Sequence, residues 1–218
     1  MALPQISGYR YTPANLTNTV EWTLDPARAV LLVHDMQQYF INAFDRSDSS
    51  AQINVAINSI AALIAAAREQ DIPVVFSAQP PRQTAEKRAL LTDFWGTGLQ
   101  SDEAAAIIEE LQAQESELLT KWRYSAFAHT DLREQMKSWG RDQLLITGVY
   151  AHIGCMTTAL DAFMHETQPF FIHDALADFS LEKHQMACDY VASRCGLVCS
   201  TQQALDQLGS GTRVRGAA

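Results

Sequence analysis

Residues 143–158 read QLLITGVYAHIGCMTT, and this stretch sets the architecture that the rest of the chain follows. The apolar run at 144–146 predicts a buried strand that stops at Gly148. After a short turn, a helix of small and β-branched residues is predicted to start at Cys155. Such a turn leaves backbone N–H groups free at the helix start, where they can hold negative charge.

Two other predicted strands also end in a reactive side chain. Asp35 closes VLLVHD, and Lys121 follows ELLT. In an open α/β sheet, ligand sites lie outside the carboxyl ends of the strands. We therefore expect Asp35, Lys121 and the turn before Cys155 to form one site.

Strands and helices alternate along most of the chain. Strands are predicted in RAVLLVHD, PVVFSAQP, ELLT, QLLITGV, PFFIHD and LVCST. Helices are predicted over residues 51–70, 86–91, 103–112, 131–139, 155–165 and 181–195, with a last short helix after LVCST. This alternation is typical of an α/β fold with a parallel sheet of six strands and right-handed crossover helices on both faces.

The 218 residues are predicted to form a single domain over 1–218. Residues 1–25 are polar and punctuated by prolines, which indicates an irregular arm packed on the body. Residues 209–218 read as a frayed tail. The long excursion between the second and third strands is of the length that functional loops and lids have.

Composition limits the classes of function. Hydrophobic residues make up 47% and charged residues 19%, which is typical of a globular protein. The formal net charge of -9 disfavours nucleic acid and anionic membrane as partners. The sequence shows no signal-like segment and no run of membrane-spanning length, so we expect a soluble, cytoplasmic protein.

The four cysteines include no CxxC pair, and we expect them to be reduced, mostly buried thiols. The six histidines show no HExxH or other ligand spacing, so neither a metal nor a cofactor is predicted.

Each candidate residue also has a structural interpretation. Asp35 could cap a helix or pair with a base, and Lys121 must reach solvent or pair with an acid. Cys155 could be a nucleophile acidified at a helix start and activated by the other two, or a small apolar side chain under the turn. Spacing alone leaves both readings of Cys155 open.

A set of motifs along the chain resembles the isochorismatase family, within the cysteine-hydrolase-like superfamily. The motifs are VLLVHDMQQYF, SAQP, DFWGTGL, KWRYSAF, GRDQLLITGVYAHIGCMTTALDAF and DALADFS, and they cover roughly residues 3–205. The resemblance implies a Rossmann-like, doubly wound sheet in the order 3-2-1-4-5-6. It also implies hydrolysis of the vinyl ether of isochorismate, giving 2,3-dihydro-2,3-dihydroxybenzoate and pyruvate.

The resemblance assigns roles by position. Asp35 in HDMQ matches the general acid and Lys121 in KWRYSAF its charged partner, while Cys155 is positional rather than nucleophilic. The implied substrate contacts are Gln79, Arg88, Tyr150, Ala151 and Gly154, with Phe40 and Trp95 as apolar walls. The resemblance further implies a cis peptide bond between Tyr150 and Ala151.

The segment HIGCMTT resembles the siderophore-pathway type more than the phenazine type. We therefore expect a role in making a catecholate siderophore from 2,3-dihydroxybenzoate, as a homodimer, with siderophore synthetase components as candidate partners. Many such proteins continue into an aryl carrier domain, whereas this sequence ends at Ala218. A stand-alone hydrolase and a piece of a bifunctional protein both stay open.

Three alternatives remain. One is a phenazine-pathway isochorismatase acting on 2-amino-2-deoxyisochorismate. Another is a nicotinamidase-like amidase with Cys155 as nucleophile, which is disfavoured because nicotinamidases typically carry metal-binding histidines where this chain has none between His34 and His129. The last is a catalytically silent scaffold, which intact Asp35, Lys121 and Gln79 argue against.

Overall fold

The computed structural model describes residues 3–13 and 16–210. Its strands are β1 (Ala29–His34), β2 (Val74–Ala78), β3 (Leu118–Thr120), β4 (Gln143–Val149), β5 (Gln168–Ala177) and β6 (Leu197–Cys199). They form one sheet in the order β3-β2-β1-β4-β5-β6, and every neighbouring pair is parallel. The predicted doubly wound sheet with the order 3-2-1-4-5-6 is therefore confirmed.

The α-helices are α1 (Gln38–Ile41), α2 (Gln52–Glu69), α3 (Ala85–Arg88), α4 (Leu91–Trp95), α5 (Asp102–Ala105), α6 (Leu132–Ser138), α7 (Met156–Met164), α8 (Leu181–Arg194) and α9 (Thr201–Ser210). Two 3-10 turns, Glu109–Leu111 and Glu115–Glu117, precede β3, and a π-helical turn, Ala151–Cys155, precedes α7. Gly140, with φ +67°, follows the last turn of α6, at a position where glycine commonly ends a helix.

The sheet is buried on both faces, which explains its continuous apolar strands. In β1, Leu31 and Val33 point to a core shared with α2 and α9, whereas Val30 and Leu32 point to a core shared with α6, α7 and α8. Successive side chains of a strand face opposite sides, so a strand covered on both sides needs an apolar residue at every position.

Two helix predictions in the excursion before β3 are wrong in part. The single helix predicted over 86–91 is two short helices, because the chain turns at Ala89 with φ +47°. The helix predicted over 103–112 ends at Ala105, because Ile107 pairs with Gln37 in an antiparallel bridge and the Ile108 N–H donates to the Met36 carbonyl oxygen. Contact with the segment after β1 overrides local helix propensity.

The strand predicted from PFFIHD is longer than expected. β5 runs on to Ala177, and its register with β4 shifts between Ile146 and Gly148. This irregularity lets β5 follow β4 to its end at Val149. β5 therefore reaches the same edge of the sheet as β4.

Residues 3–13 and 16–25, within the predicted arm, contain neither helix nor regular strand. Of the predicted frayed tail, residues 209 and 210 belong to α9, and residues 211–218 lie outside the described residues. In the described parts of the chain, no helix is both long and apolar enough to span a bilayer.

The arm meets a buried histidine on α8. The Tyr9 hydroxyl donates to His184 Nδ1 over 2.9 Å, because Nε2–H is committed to the His173 carbonyl oxygen at 3.0 Å. The same hydroxyl accepts the Asp178 N–H at 2.7 Å. Burial lowers the pKa of His184 to about 4, so the folded chain holds this imidazole neutral.

This buried imidazole makes the fold sensitive to acid. The unfolded chain takes up a proton at His184 below its ordinary pKa of about 6.5, whereas the folded chain resists it until about pH 4. We therefore expect the free energy of unfolding to fall by about 2 kcal/mol from this group between pH 7 and pH 5. Urea unfolding at both pH values should show a smaller fall in His184→Gln. The exposed His129→Gln should retain the wild-type fall, and equal falls in all three proteins would contradict the assignment.

Candidate active site

The carboxyl ends of β1, β2 and β3 bring the predicted acid and lysine together. Asp35 follows β1 directly with φ +50°, and Lys121 follows β3. Lys121 Nζ lies 2.8 Å from Asp35 Oδ2, and both side chains are almost completely buried, with relative exposures of 2% for Lys121 and 5% for Asp35. The two sequence positions are 86 apart along the chain, so only the sheet order makes them neighbours.

Neighbouring groups fix the orientation of both side chains. Ser77 Oγ–H donates to Asp35 Oδ1 at 2.9 Å, and Gln79 Nε2 lies 3.5 Å from Oδ2. Lys121 Nζ also donates to the Arg123 carbonyl oxygen at 2.8 Å. Each carboxylate oxygen therefore has a donor, and the ammonium group is held at two points.

His34 fills the space under this pair and was not singled out as a site residue by the sequence. Burial lowers the pKa of His34, which favours a neutral ring whose Nδ1–H donates to the Val149 carbonyl oxygen at 2.9 Å. A Cβ at residue 154 would overlap the His34 ring, and one at residue 148 would collide with the His34 carbonyl oxygen. Gly148 and Gly154 are thus required by close packing against His34.

A cleft of about 520 Å³, counted to its solvent opening, lies above Asp35. The described residues that line it are Leu3, His34, Asp35, Tyr39, Phe40, Gln79, Arg88, Leu91, Trp95, Leu99, Lys121, Tyr124, Val149, Tyr150, Ile153 and Gly154. Its size and mainly apolar lining with a few polar groups are those of a small-molecule site. Of the predicted site residues, only Ala151 and Cys155 are outside this lining.

An aromatic wall forms one side of the cleft: Phe40, Trp95 and Tyr150 line it, and Phe179 packs on this wall from outside the lining. Phe179 stacks on Tyr150 with ring centroids 4.2 Å apart and on Trp95 with centroids 6.2 Å apart. Trp95 Nε1–H donates to the Tyr124 hydroxyl at 2.8 Å, and Phe40 meets Tyr150 edge-on at 6.0 Å. The excursion that carries Trp95 is thereby joined to the body of the domain.

Asp178 fixes Phe179 in this wall. Its carboxylate accepts the backbone N–H of Phe179 at 2.7 Å and the backbone N–H of His152 at 2.6 Å. His152 Nδ1 also lies 2.6 Å from the Asp178 carboxylate. The motif DALADFS carried these residues in the sequence, but no pattern in it indicated that they support the cleft.

Arg88 is a buried residue of the cleft lining, and Arg88 Nη1 has no hydrogen-bond partner in the described residues. Its Nε–H donates to the Gly96 carbonyl oxygen, and its guanidinium packs on Gly98, which has φ +69°. A buried donor without a partner costs free energy, and an arginine keeps its charge at neutral pH. Arg88 is therefore placed to receive an anionic group from the cleft.

Cys155 and Ala151 lie behind the cleft, in the apolar core on the α7 side of the sheet. Both have no exposed surface, and Cys155 Sγ–H points to the Thr147 carbonyl oxygen at 3.9 Å. Burial raises the pKa of the Cys155 thiol well above its usual value. The arrangement disfavours the thiolate that a nucleophile needs.

The position expected for the cis peptide bond is wrong by one residue. The cis bond joins Val149 and Tyr150, not Tyr150 and Ala151. β4 ends at Val149, and the helical turn already begins at Ala151, where the Cys155 N–H donates to the Tyr150 carbonyl oxygen at 3.3 Å. The helical turn over Ala151–Cys155 leads directly into α7, which corresponds to the predicted helix over 155–165.

Within residues 3–13 and 16–210, no cluster of three or more His, Cys, Asp or Glu side chains could hold a metal ion.

The cleft opens at the carboxyl ends of β1 and β4, where the strand order of the sheet reverses. Ligand sites of doubly wound α/β enzymes lie at this switch point. An acid at the floor of an apolar cleft in this position defines an α/β enzyme that acts on a small molecule.

Comparison with known proteins gives the family. The isochorismatase domain model matches residues 29–203, and the chain belongs to the isochorismatase family of hydrolases. It is 51% identical over 217 residues to the isochorismatase of Bacillus subtilis strain 168, covering 95% of this chain and 67% of that protein. It is 45% identical over 209 residues to enterobactin synthase component B of Escherichia coli K12, covering 94% and 73%.

A third relative and a solved structure are also similar to this chain. The chain is 44% identical over 211 residues to phenazine biosynthesis protein PhzD1 of Pseudomonas aeruginosa, covering 94% of this chain and 99% of the relative. A crystal structure of a cysteine hydrolase from Pseudomonas syringae pv. phaseolicola 1448A superposes with a TM-score of 0.79 at 21% identity, covering 88% and 97%. At that identity the likeness supports the fold alone.

The buried thiols give a prediction that needs no substrate. All four cysteines are buried and free, and burial raises the pKa of Cys188 to about 12 and that of Cys195 to about 11. We therefore expect Ellman's reagent to label the native protein slowly, and all four thiols to react at once in urea. Rapid labelling of one thiol in the native protein, mapped to Cys155 by mass spectrometry, would contradict its placement in the core.

Proposed function

We propose that this enzyme hydrolyses the vinyl ether of isochorismate to 2,3-dihydro-2,3-dihydroxybenzoate and pyruvate, with Asp35 as general acid and without a covalent intermediate. The observation that carries the proposal is that Asp35 is the one carboxylate among the described lining residues, and that it lies at the floor of the cleft against Lys121. One acid without an accessible nucleophile suits a reaction that starts with proton transfer.

The chemistry requires a proton on carbon. The Asp35 carboxyl donates its proton to the terminal methylene carbon, whose π electrons form the new C–H bond and leave an oxocarbenium ion. Water adds to this cation and returns a proton to the carboxylate. The resulting hemiketal then breaks its C–O bond to the ring, releasing pyruvate and the ring alcohol.

The acid must hold a proton at neutral pH for this step. An aspartic acid in water, with a pKa of about 3.9, is protonated in about one molecule in a thousand at pH 7, a deficit of about 4 kcal/mol. In the bound complex the substrate brings two carboxylates into the cleft, and negative charge beside an acid favours the protonated form of that acid. In this scheme the Lys121 ammonium, held by the Arg123 carbonyl oxygen, pairs with a substrate carboxylate.

The two cationic side chains of the cleft, Arg88 and Lys121, suit a substrate with two negative charges. Arg88 offers its unpartnered Nη1, and Tyr39 and Tyr124 line the same cleft. Since Tyr124 already accepts from Trp95, its own O–H is left to donate. One substrate carboxylate is assigned to Arg88 and the other to Lys121.

A cysteine-nucleophile amidase receives less support. The nucleophile would have to be Cys155, whose sulfur is fully buried outside the cleft lining and whose pKa is raised by burial. A nucleophilic cysteine needs access to the substrate and a stabilised thiolate.

The siderophore context is favoured by the relatives called isochorismatase and enterobactin synthase component B. The similarity to a phenazine biosynthesis protein over nearly its whole length makes 2-amino-2-deoxyisochorismate a second candidate substrate. Parallel kcat/KM measurements on both compounds decide between them. A homodimer and synthetase partners remain predictions.

The mechanism separates Asp35 from Cys155. Pyruvate release from isochorismate, followed with lactate dehydrogenase and NADH, should fall by several orders of magnitude in Asp35→Asn, because the acid is lost. Cys155→Ala should retain activity within roughly tenfold, corresponding to about 1.4 kcal/mol, since its sulfur only packs. Wild-type inactivity on isochorismate would remove the substrate assignment. A Cys155→Ala variant as inactive as Asp35→Asn, yet folded, would favour the nucleophilic mechanism.

Arg88 and its neighbour on α3 form a matched pair. Arg88→Gln should raise KM roughly tenfold to a hundredfold with a smaller effect on kcat, because it removes a charge-assisted hydrogen bond to the substrate. Lys87→Gln removes one positive charge from the same helix, but its side chain is exposed and lies over Trp122, away from the cleft. Steady-state kinetics on both variants should separate them. Equal changes in KM would mean that net charge, and not contact with Arg88, is responsible.

A further inference from the structure

The amino-terminal arm reaches the active site. Leu3 is one of the lining residues of the cleft, together with Asp35, Phe40 and Tyr150, and it also packs on the main apolar core. The sequence predicted only an irregular arm packed on the body. A position in the cleft wall gives this half-buried leucine access to bound substrate.

The arm is fixed three residues after Leu3. The buried Ile6 pairs in parallel with Phe44: its N–H donates to the Ala43 carbonyl oxygen at 2.7 Å, and its carbonyl oxygen accepts the Asp45 N–H at 2.8 Å. Phe44 in turn stacks on Tyr150, with ring centroids 5.8 Å apart. Backbone hydrogen bonds of Ile6 therefore tie the arm, close to Leu3, to a segment that packs on Tyr150 of the cleft lining.

A second anchor follows at Tyr9. Its carbonyl oxygen accepts the Gln52 N–H at 2.7 Å, and its hydroxyl accepts the Asp178 N–H at 2.7 Å. Asp178 precedes Phe179, the central ring of the aromatic wall. The arm thus contacts the cleft surroundings at two places. Ile6 pairs with Phe44 behind Tyr150, and Tyr9 bonds to Asp178 beside Phe179.

We propose that Leu3 is a substrate-contacting, specificity-determining residue, supplied by the arm as a wall of the active site. The inference rests on the proposed function for the identity of the substrate. An apolar side chain there covers the face of a ring without adding charge.

Charge placed at residue 3 tests this position directly. A dianionic substrate attracts a cation and repels an anion in contact with it. Salt largely screens this interaction between charges that are more than about 10 Å apart. We expect Leu3→Lys and Leu3→Glu to differ roughly tenfold or more in KM at low salt, with the glutamate variant weaker. The matched pair Ser7→Lys and Ser7→Glu, at an exposed position of the arm, should differ less than about twofold. An equal ratio at the two positions would overturn the inference.

A second readout does not depend on turnover. Because the native thiols are buried, Leu3→Cys should present the readily alkylated thiol of the protein. Isochorismate should slow its reaction with iodoacetamide at least threefold, while leaving the reaction of Ser7→Cys unchanged. Equal rates with and without isochorismate would overturn the inference. Protection without pyruvate release would support the role of Leu3 and defeat the proposed reaction, so the two failures are distinguishable.

Discussion

The buried contact between Asp35 and Lys121 is the interaction on which the site depends. Removing both charges from water is costly, and the attraction between them offsets the cost only when the remaining donors and acceptors are also satisfied. Ser77 and the Arg123 carbonyl oxygen provide these further contacts. Because the pair bridges the ends of β1 and β3, it also holds the loop after β3 against the centre of the sheet. Loss of either partner would leave the other charge buried and alone.

The rest of the cleft is built around this pair by segments that are far apart in sequence. Trp95 comes from the excursion before β3, Tyr150 from the end of β4 and Phe179 from the end of β5, and their rings form one wall. The Asp178 carboxylate accepts the backbone N–H groups of Phe179 and His152 and so fixes the position of Phe179. Aromatic stacking supplies apolar surface in a defined geometry.

Close packing around His34 sets a second constraint. Its ring and carbonyl oxygen leave room for glycine alone at residues 148 and 154, so the turn after β4 can approach the end of β1. That approach puts Tyr150 over the floor of the cleft. It also leaves Cys155 on the far side of the turn, within the core. Its side chain has no exposed surface there.

The sequence by itself determined the strands, their order along the chain and the reactive residues at their ends, since apolar runs and helical periodicity are local properties. It did not determine the break of the helix predicted over 103–112, because Ile107 pairs with Gln37 from another part of the chain. Nor did it assign Leu3, His34 or Phe179 to the site. Their roles come from contacts between distant segments, which only the packed sheet and its loops bring within reach. Burial of Cys155 was decided in the same way, by the side of the turn on which tertiary packing placed its sulfur.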